Sequence, residues 1–138
     1  MLDARTGRVL HRVAFNADII SVNQHAGRAF FAVEAYNAIG VIDTRTGTVL
    51  HVVSSPQAAT GTLGNYITAV ASDDQTGQFF VLNQAGTLRV IDGQSGHIRR
   101  TIPVGPDPRA IAVDVQRDRL VVADRGDHGL RVLTLANM

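Results

Sequence analysis

His128 stands in the run Asp124-Arg125-Gly126-Asp127-His128-Gly129, with two carboxylates within four residues of it. An imidazole that titrates near neutrality beside carboxylates is a combination suited to general acid–base work. His128 is the histidine to test for it, because His11 and His51 occupy matching places in two copies of a repeated phrase and His25 stands alone. A second constellation is Glu34, Asn83 and Asp124, which end three similar apolar runs. Three such oxygen donors gathered about one axis would suit a hard cation. Asp and Asn in these places also cap their own turns, and that local role is the preferred reading. The 124–129 run lacks the spacing and ligand number of an established calcium loop, and its Arg125-Gly126-Asp127 tripeptide is too short a match to integrin ligands to carry weight. No metal or cofactor is assigned. The chain has no G-x-S-x-G elbow, H-E-x-x-H, Walker loop or G-x-G-x-x-G, so enzyme chemistry rests on scattered polar residues alone.

The elements that must position these residues form a repeat. MLDARTGRVLHRV at 1–13 returns as VIDTRTGTVLHVV at 41–53 and as VIDGQSGHIRRTI at 90–102. The spacing of about 40–50 residues is typical of propeller blades. Within each unit, apolar and β-branched runs alternate with clusters of Gly, Asn, Asp and Gln, which predicts strands rather than helices. The first unit predicts strands at 18–23, 29–34, 39–43 and 48–53. The second predicts them at 66–72, 78–83, 87–92 and 97–104, and the third at 109–114, 119–124 and 129–135. Residues 8–15 then read as a fourth strand without its first three. The shared D-x-x-[ST]-G signature, at Asp3–Gly7, Asp43–Gly47 and Asp92–Gly96, reads as the hairpin between third and fourth strands. Its Asp accepts backbone N–H groups across the turn, and its Gly takes a positive φ.

Composition fits one domain of this kind. The 138 residues are 45% hydrophobic, without an apolar run long enough for a membrane helix and without a visible leader peptide. Net charge is +1, and only Arg99 and Arg100 are adjacent among 13 basic residues, all arginine. That scatter disfavours nucleic acid as a partner. The absence of cysteine removes disulfides and thiolate metal sites and leaves the compartment open.

The repeats resemble the YVTN type of β-propeller. Phe80-Val81-Leu82-Asn83, Phe31-Ala32-Val33-Glu34 and Val121-Val122-Ala123-Asp124 look like its eponymous tetrapeptide, 106–124 like its approach to a new blade and 88–105 like its exit. The pattern departs in lacking Tyr at the first position and in having Asn only once at the last. Quinoprotein propellers share the D-x-x-[ST]-G turn but place Trp where His11 and His51 stand, so a quinone cofactor is disfavoured. The resemblance implies an all-β propeller of four-stranded antiparallel blades in a single domain, 1–138. Its blades are 17–53, 65–104 and 108–138, the last completed by strand 8–15.

Three blades fall short of the roughly 4–8 of closed propellers. A head-to-tail homodimer with exchange of strand 8–15 would close six; the rival expectation is a piece of a longer propeller with no activity of its own. The connections 35–38, 84–86 and 125–128 share a face with the linkers 14–17, 54–65 and 105–108. That face offers Glu34, Tyr36, Asn37, Asn65, Tyr66, Asn83, Asp107, Arg109, Asp124, Asp127 and His128 as ligand-facing residues. The expected function is a non-catalytic scaffold binding a protein, peptide or glycan there. The alternative is a propeller lyase or hydrolase with a metal-assisted axial site.

Overall fold

The computed structural model describes residues 1–15, 17–33, 38–54 and 66–137. β1 (Ile19–Asn23), β2 (Arg28–Val33), β3 (Ala38–Asp43) and β4 (Val49–Ser54) form one antiparallel sheet in sequential order. β5 (Ile67–Ser72), β6 (Gln78–Asn83), β7 (Thr87–Asp92) and β8 (Ile98–Pro103) form a second in the same order. β9 (Pro108–Asp114), β10 (Arg119–Asp124) and β11 (Gly129–Thr134) form a third, of three strands. Every strand end lies within one residue of its predicted place. β1 lies beside β5 and β5 beside β9, so the first strands of successive sheets are neighbours, as in consecutive propeller blades. Among the described residues no helix is long and apolar enough to cross a membrane.

The sheets stack because their strands are apolar on both faces. The first blade turns Phe30, Ala32, Ile39 and Val41 toward Ile67, Phe79, Val81 and Ile91 of the second. Phe30 and Phe79 stack across this boundary with ring centroids 3.7 Å apart. The second blade's other face carries Phe80, Leu82, Leu88 and Val90, which meet Leu120 and Val122 with Ile111, Val113 and Leu133 of the third. Each fully buried Phe, Leu, Ile or Val among them contributes about 1.5–3 kcal/mol. These two interblade layers are the core.

Ladder registers correct the sequence alignment of the first blade by one residue. Phe30 pairs Val41, Phe80 pairs Val90 and Val121 pairs Val132. The residue equivalent to Asn83 and Asp124 is therefore Val33, not Glu34, and Phe31 matches Val81 and Val122. Consecutive phenylalanines in a strand buried on both faces give the alternation no phase from which register could be read.

The D-x-x-[ST]-G turns form as expected. Asp43 Oδ1 accepts from the N–H groups of Arg45 and Thr46 at 2.8 and 3.1 Å, and Gly47 has φ +73°. Asp92 repeats this with Gln94 and Ser95, and Asp3 with Arg5 and Thr6. A fourth copy, Asp73-Asp74-Gln75-Thr76-Gly77, joins β5 to β6, so the signature is not confined to the last hairpin of a blade.

Residues 8–15 form no ladder with β11 within this chain; Leu2 bridges Val9 instead, closing a small N-terminal hairpin. That hairpin leads onto the first blade. His11 lies against Gly47, Val13 packs on Phe31 and Ile42, and the Phe15 ring sits 5.0 Å from that of Phe31.

Candidate functional site

The interblade linker and the β6–β7 and β10–β11 connections come together on one face. Val104 N–H donates to Gly86 O at 2.9 Å, and Arg125 N–H donates to Asp107 O at 3.0 Å. Gly105, at φ +133°, lies so close that an added Cβ would overlap Asp124 Oδ2. Glycine is the residue type that tolerates that backbone and that approach together.

Asp107 is the hub of this face. Arg125 Nε donates to its Oδ2 at 2.7 Å, and Arg109 Nε lies 2.8 Å from the buried Oδ1, an ion-pair contact without good hydrogen-bond direction. Burial raises the Asp107 pKa, but its two arginines more than offset this and hold the carboxyl below its ordinary value. Arg125 keeps 69% of its side chain exposed and Arg109 39%. Asp127 pairs with Arg131 beside them.

The sequence-derived candidates divide sharply. Asn83 and Asp124 are buried and cap their own turns: Asn83 Oδ1 accepts from Ala85 N–H at 2.7 Å, and Asp124 Oδ1 from Asp127 N–H at 3.0 Å. Asp124 Oδ2 also accepts from Asp107 N–H at 3.4 Å, so this carboxylate ties the linker to the third blade. His128 is exposed at φ +52°, the left-handed position of its turn. Tyr66 is half-exposed at the start of β5, and its carbonyl accepts from Gln84 N–H at 2.8 Å. Thr68 Oγ1, two residues on, donates to Pro108 O at 2.9 Å, which links Tyr66's strand to the segment holding Arg109. Tyr66, Arg109, Arg125, Asp127 and His128 thus remain presented on this face. Glu34, Tyr36, Asn37 and Asn65 lie outside the described residues, as does the long connection 55–65. Among the described residues no three His, Cys, Asp or Glu side chains gather to hold a metal ion.

Two features were not singled out from sequence. On the opposite face, an open pocket of about 240 Å³ between the first two blades is lined by Arg28, Thr76, Asp92 and Gln94 among others. Beside it, buried Asn23 donates from Nδ2 to Asp73 O at 2.8 Å, and Gln24 N–H donates to Asp74 Oδ1 at 3.1 Å. The signature at 73–77 was missed beside its three counterparts, and its contact with Asn23, fifty residues away, has no signal in the sequence.

The profile of the family described as outer membrane protein assembly factor BamB matches residues 1–137. Among solved structures, the chain is similar to Kuenenia stuttgartiensis hydrazine synthase, with a TM-score of 0.73 and 19% identity. That similarity covers 96% of this chain and 37% of the other, and at such identity it shows the fold alone. No curated protein matches.

Proposed function

Because the chain belongs to the family described as outer membrane protein assembly factor BamB, a β-propeller repeat family, we propose that it is a non-catalytic binding scaffold. Its ligand is a protein, peptide or glycan held on the face that carries Tyr66, Arg109 and Arg125. The observation that carries this is the sharing of one Asp107 carboxylate by two partly exposed guanidiniums. Arginines fixed at Nε present planar donor edges in a set orientation, which suits carboxylate and carbonyl groups. A half-exposed tyrosine on the same face supplies apolar area with a polar tip.

An acid–base role for His128 has less support, because Asp124 and Asp127 are engaged by backbone N–H groups and by Arg131. The finer kinship with YVTN repeats rests on the second and third blades, Phe80–Asn83 and Val121–Asp124, since the first shifts by one residue.

The test is to probe peptide and glycan arrays with the purified chain and with Tyr66→Ala and Arg125→Ala variants whose circular dichroism is unchanged. Binding that falls tenfold or more in both variants supports the proposal. Binding that neither variant alters, or none above background on any array, contradicts it.

A further inference from the structure

The connection that opens the third blade repeats the one that opens the second, with different side chains on it. Gln84 N–H donates to Tyr66 O at 2.8 Å and Arg125 N–H to Asp107 O at 3.0 Å, so Asp107 and Arg125 stand where Tyr66 and Gln84 stand one blade earlier. The ladders carry a matching irregularity. Asn83 pairs with Ile67 and Leu82 with Ala69, which leaves Thr68 as an extra residue. Asp124 pairs with Pro108 and Ala123 with Ala110, which leaves Arg109 as its counterpart. An extra residue of this kind re-aims its side chain out of the strand's alternation. Thr68 spends its hydroxyl on Pro108 O. Arg109 instead brings a guanidinium to the Asp107 carboxylate, whose other oxygen holds Arg125. One backbone frame therefore presents an uncharged trio, Tyr66, Thr68 and Gln84, beside a charged one, Asp107, Arg109 and Arg125.

In the charged trio the carboxylates lie deeper than the guanidiniums. Asp124 is buried and Asp107 keeps 18% of its side chain exposed, against 39% for Arg109 and 69% for Arg125. Asp107 takes up both Nε groups, and among the described residues the Nη groups of the pair have no hydrogen-bond partner. An Nη pair is a flat edge with two parallel donors, the fork that a carboxylate fills bidentately. The wider face is balanced in charge, with Arg109, Arg125 and Arg131 against Asp107, Asp124 and Asp127. Recognition here rests on short contacts rather than on a long-range field. A doubly charged phosphate would meet stronger repulsion from those carboxylates than a singly charged carboxylate does.

We infer, on the footing of the binding role proposed for this face, that its ligand is an acidic peptide. The peptide lies extended, with Asp or Glu side chains on Arg109 and Arg125 and an apolar neighbour on Tyr66. Two guanidiniums that share one carboxylate lie close together, and same-side residues of an extended segment are about 6.6 Å apart, so alternate acidic positions reach both. Tyr66 stands on the adjoining connection, tied to the Arg109 segment by the Thr68–Pro108 hydrogen bond, and is half-exposed to take the apolar residue.

Fluorescence anisotropy with synthetic peptides tests this. The probe is a labelled peptide with Glu at two alternate positions beside a Leu. Its comparators replace both Glu by Gln or by phosphoserine, and a labelled uronate oligosaccharide stands for an acidic glycan. The Glu peptide should bind the parent chain about tenfold tighter than the Gln peptide. That preference should shrink to about twofold in Arg109→Gln and Arg125→Gln chains of unchanged circular dichroism, while Tyr66→Ala weakens both peptides alike. Glu and Gln peptides that bind equally, and are equally weakened by Arg125→Ala, overturn the inference and leave the binding face standing. A preference that survives both arginine variants overturns it, as does tighter binding of the phosphoserine peptide or of the oligosaccharide. Failure of every probe overturns it too, and the array experiment then decides whether the face binds anything.

Discussion

Leu88 and Leu130 occupy the same ladder position in successive blades, one wholly buried and the other mostly exposed. The difference measures whether a following blade is present. Leu88→Ala should cost about 2–5 kcal/mol in denaturant unfolding, from lost burial and the cavity left behind. Leu130→Ala, at a position that the described residues leave exposed, should cost less than about 0.5 kcal/mol. Equal losses would mean that Leu130 has a covering layer within its own chain.

Asn23 and Asp73 form the buried polar tie between the first two blades. Asn23 uses Nδ2 on Asp73 O and Oδ1 on its own Ala26 N–H at 2.8 Å. Asn23→Ala leaves the carbonyl of buried Asp73 and the Ala26 amide without these partners, so the expected loss is about 1–3 kcal/mol in chemical denaturation. A change under about 0.5 kcal/mol would show that the tie adds nothing to blade stacking.

Gly105 is where linker and loop face meet. Gly105→Ala places a side chain at φ +133° and against Asp124, and backbone of that kind costs about 1–3 kcal/mol even without the overlap. The melting temperature should fall, and the Arg125 amide, held by Asp107 O, should exchange its hydrogen faster. An unchanged Arg125 exchange rate would detach the linker from the organisation of the site.

The turn carboxylates set the acid response. Asp92 titrates at about 2 instead of its ordinary 3.8, chiefly because Ser95 N–H donates to it. A carboxyl with a depressed folded-state pKa adds stability above its unfolded pKa, and that contribution is lost as pH falls through the folded one. Asp3, Asp43, Asp107 and Asp114 shift in the same direction. Melting temperature should hold above about pH 4 and fall between about pH 4 and 2. Asp92→Asn should make that fall shallower. A slope identical to the parent's would show that Asp92 does not contribute.

The fold was legible because β-strand runs and turn residues alternate at a regular period, and three turn signatures sit in step with them. What escaped was whatever depends on contacts between blades. Phe30 and Phe31 are both apolar in a strand packed on both sides, so the side facing the second blade could not be told from composition. Asn83 and Asp124 also stood among the ligand-facing residues, but capping of their own turns was the preferred reading, and both are buried caps. Arg109, Asp124, Asp127 and His128 were marked by their loop positions, yet the pairing of Arg109 and Arg125 through Asp107 needed the fold.

The central claim is that the face on which Arg109 and Arg125 share the Asp107 carboxylate holds the ligand. Asp107→Asn keeps the shape of the side chain and removes the charge that orients both guanidiniums. Binding of that variant to the array partners of the parent chain should fall about tenfold, with circular dichroism unchanged. Binding as tight as the parent's would contradict the claim.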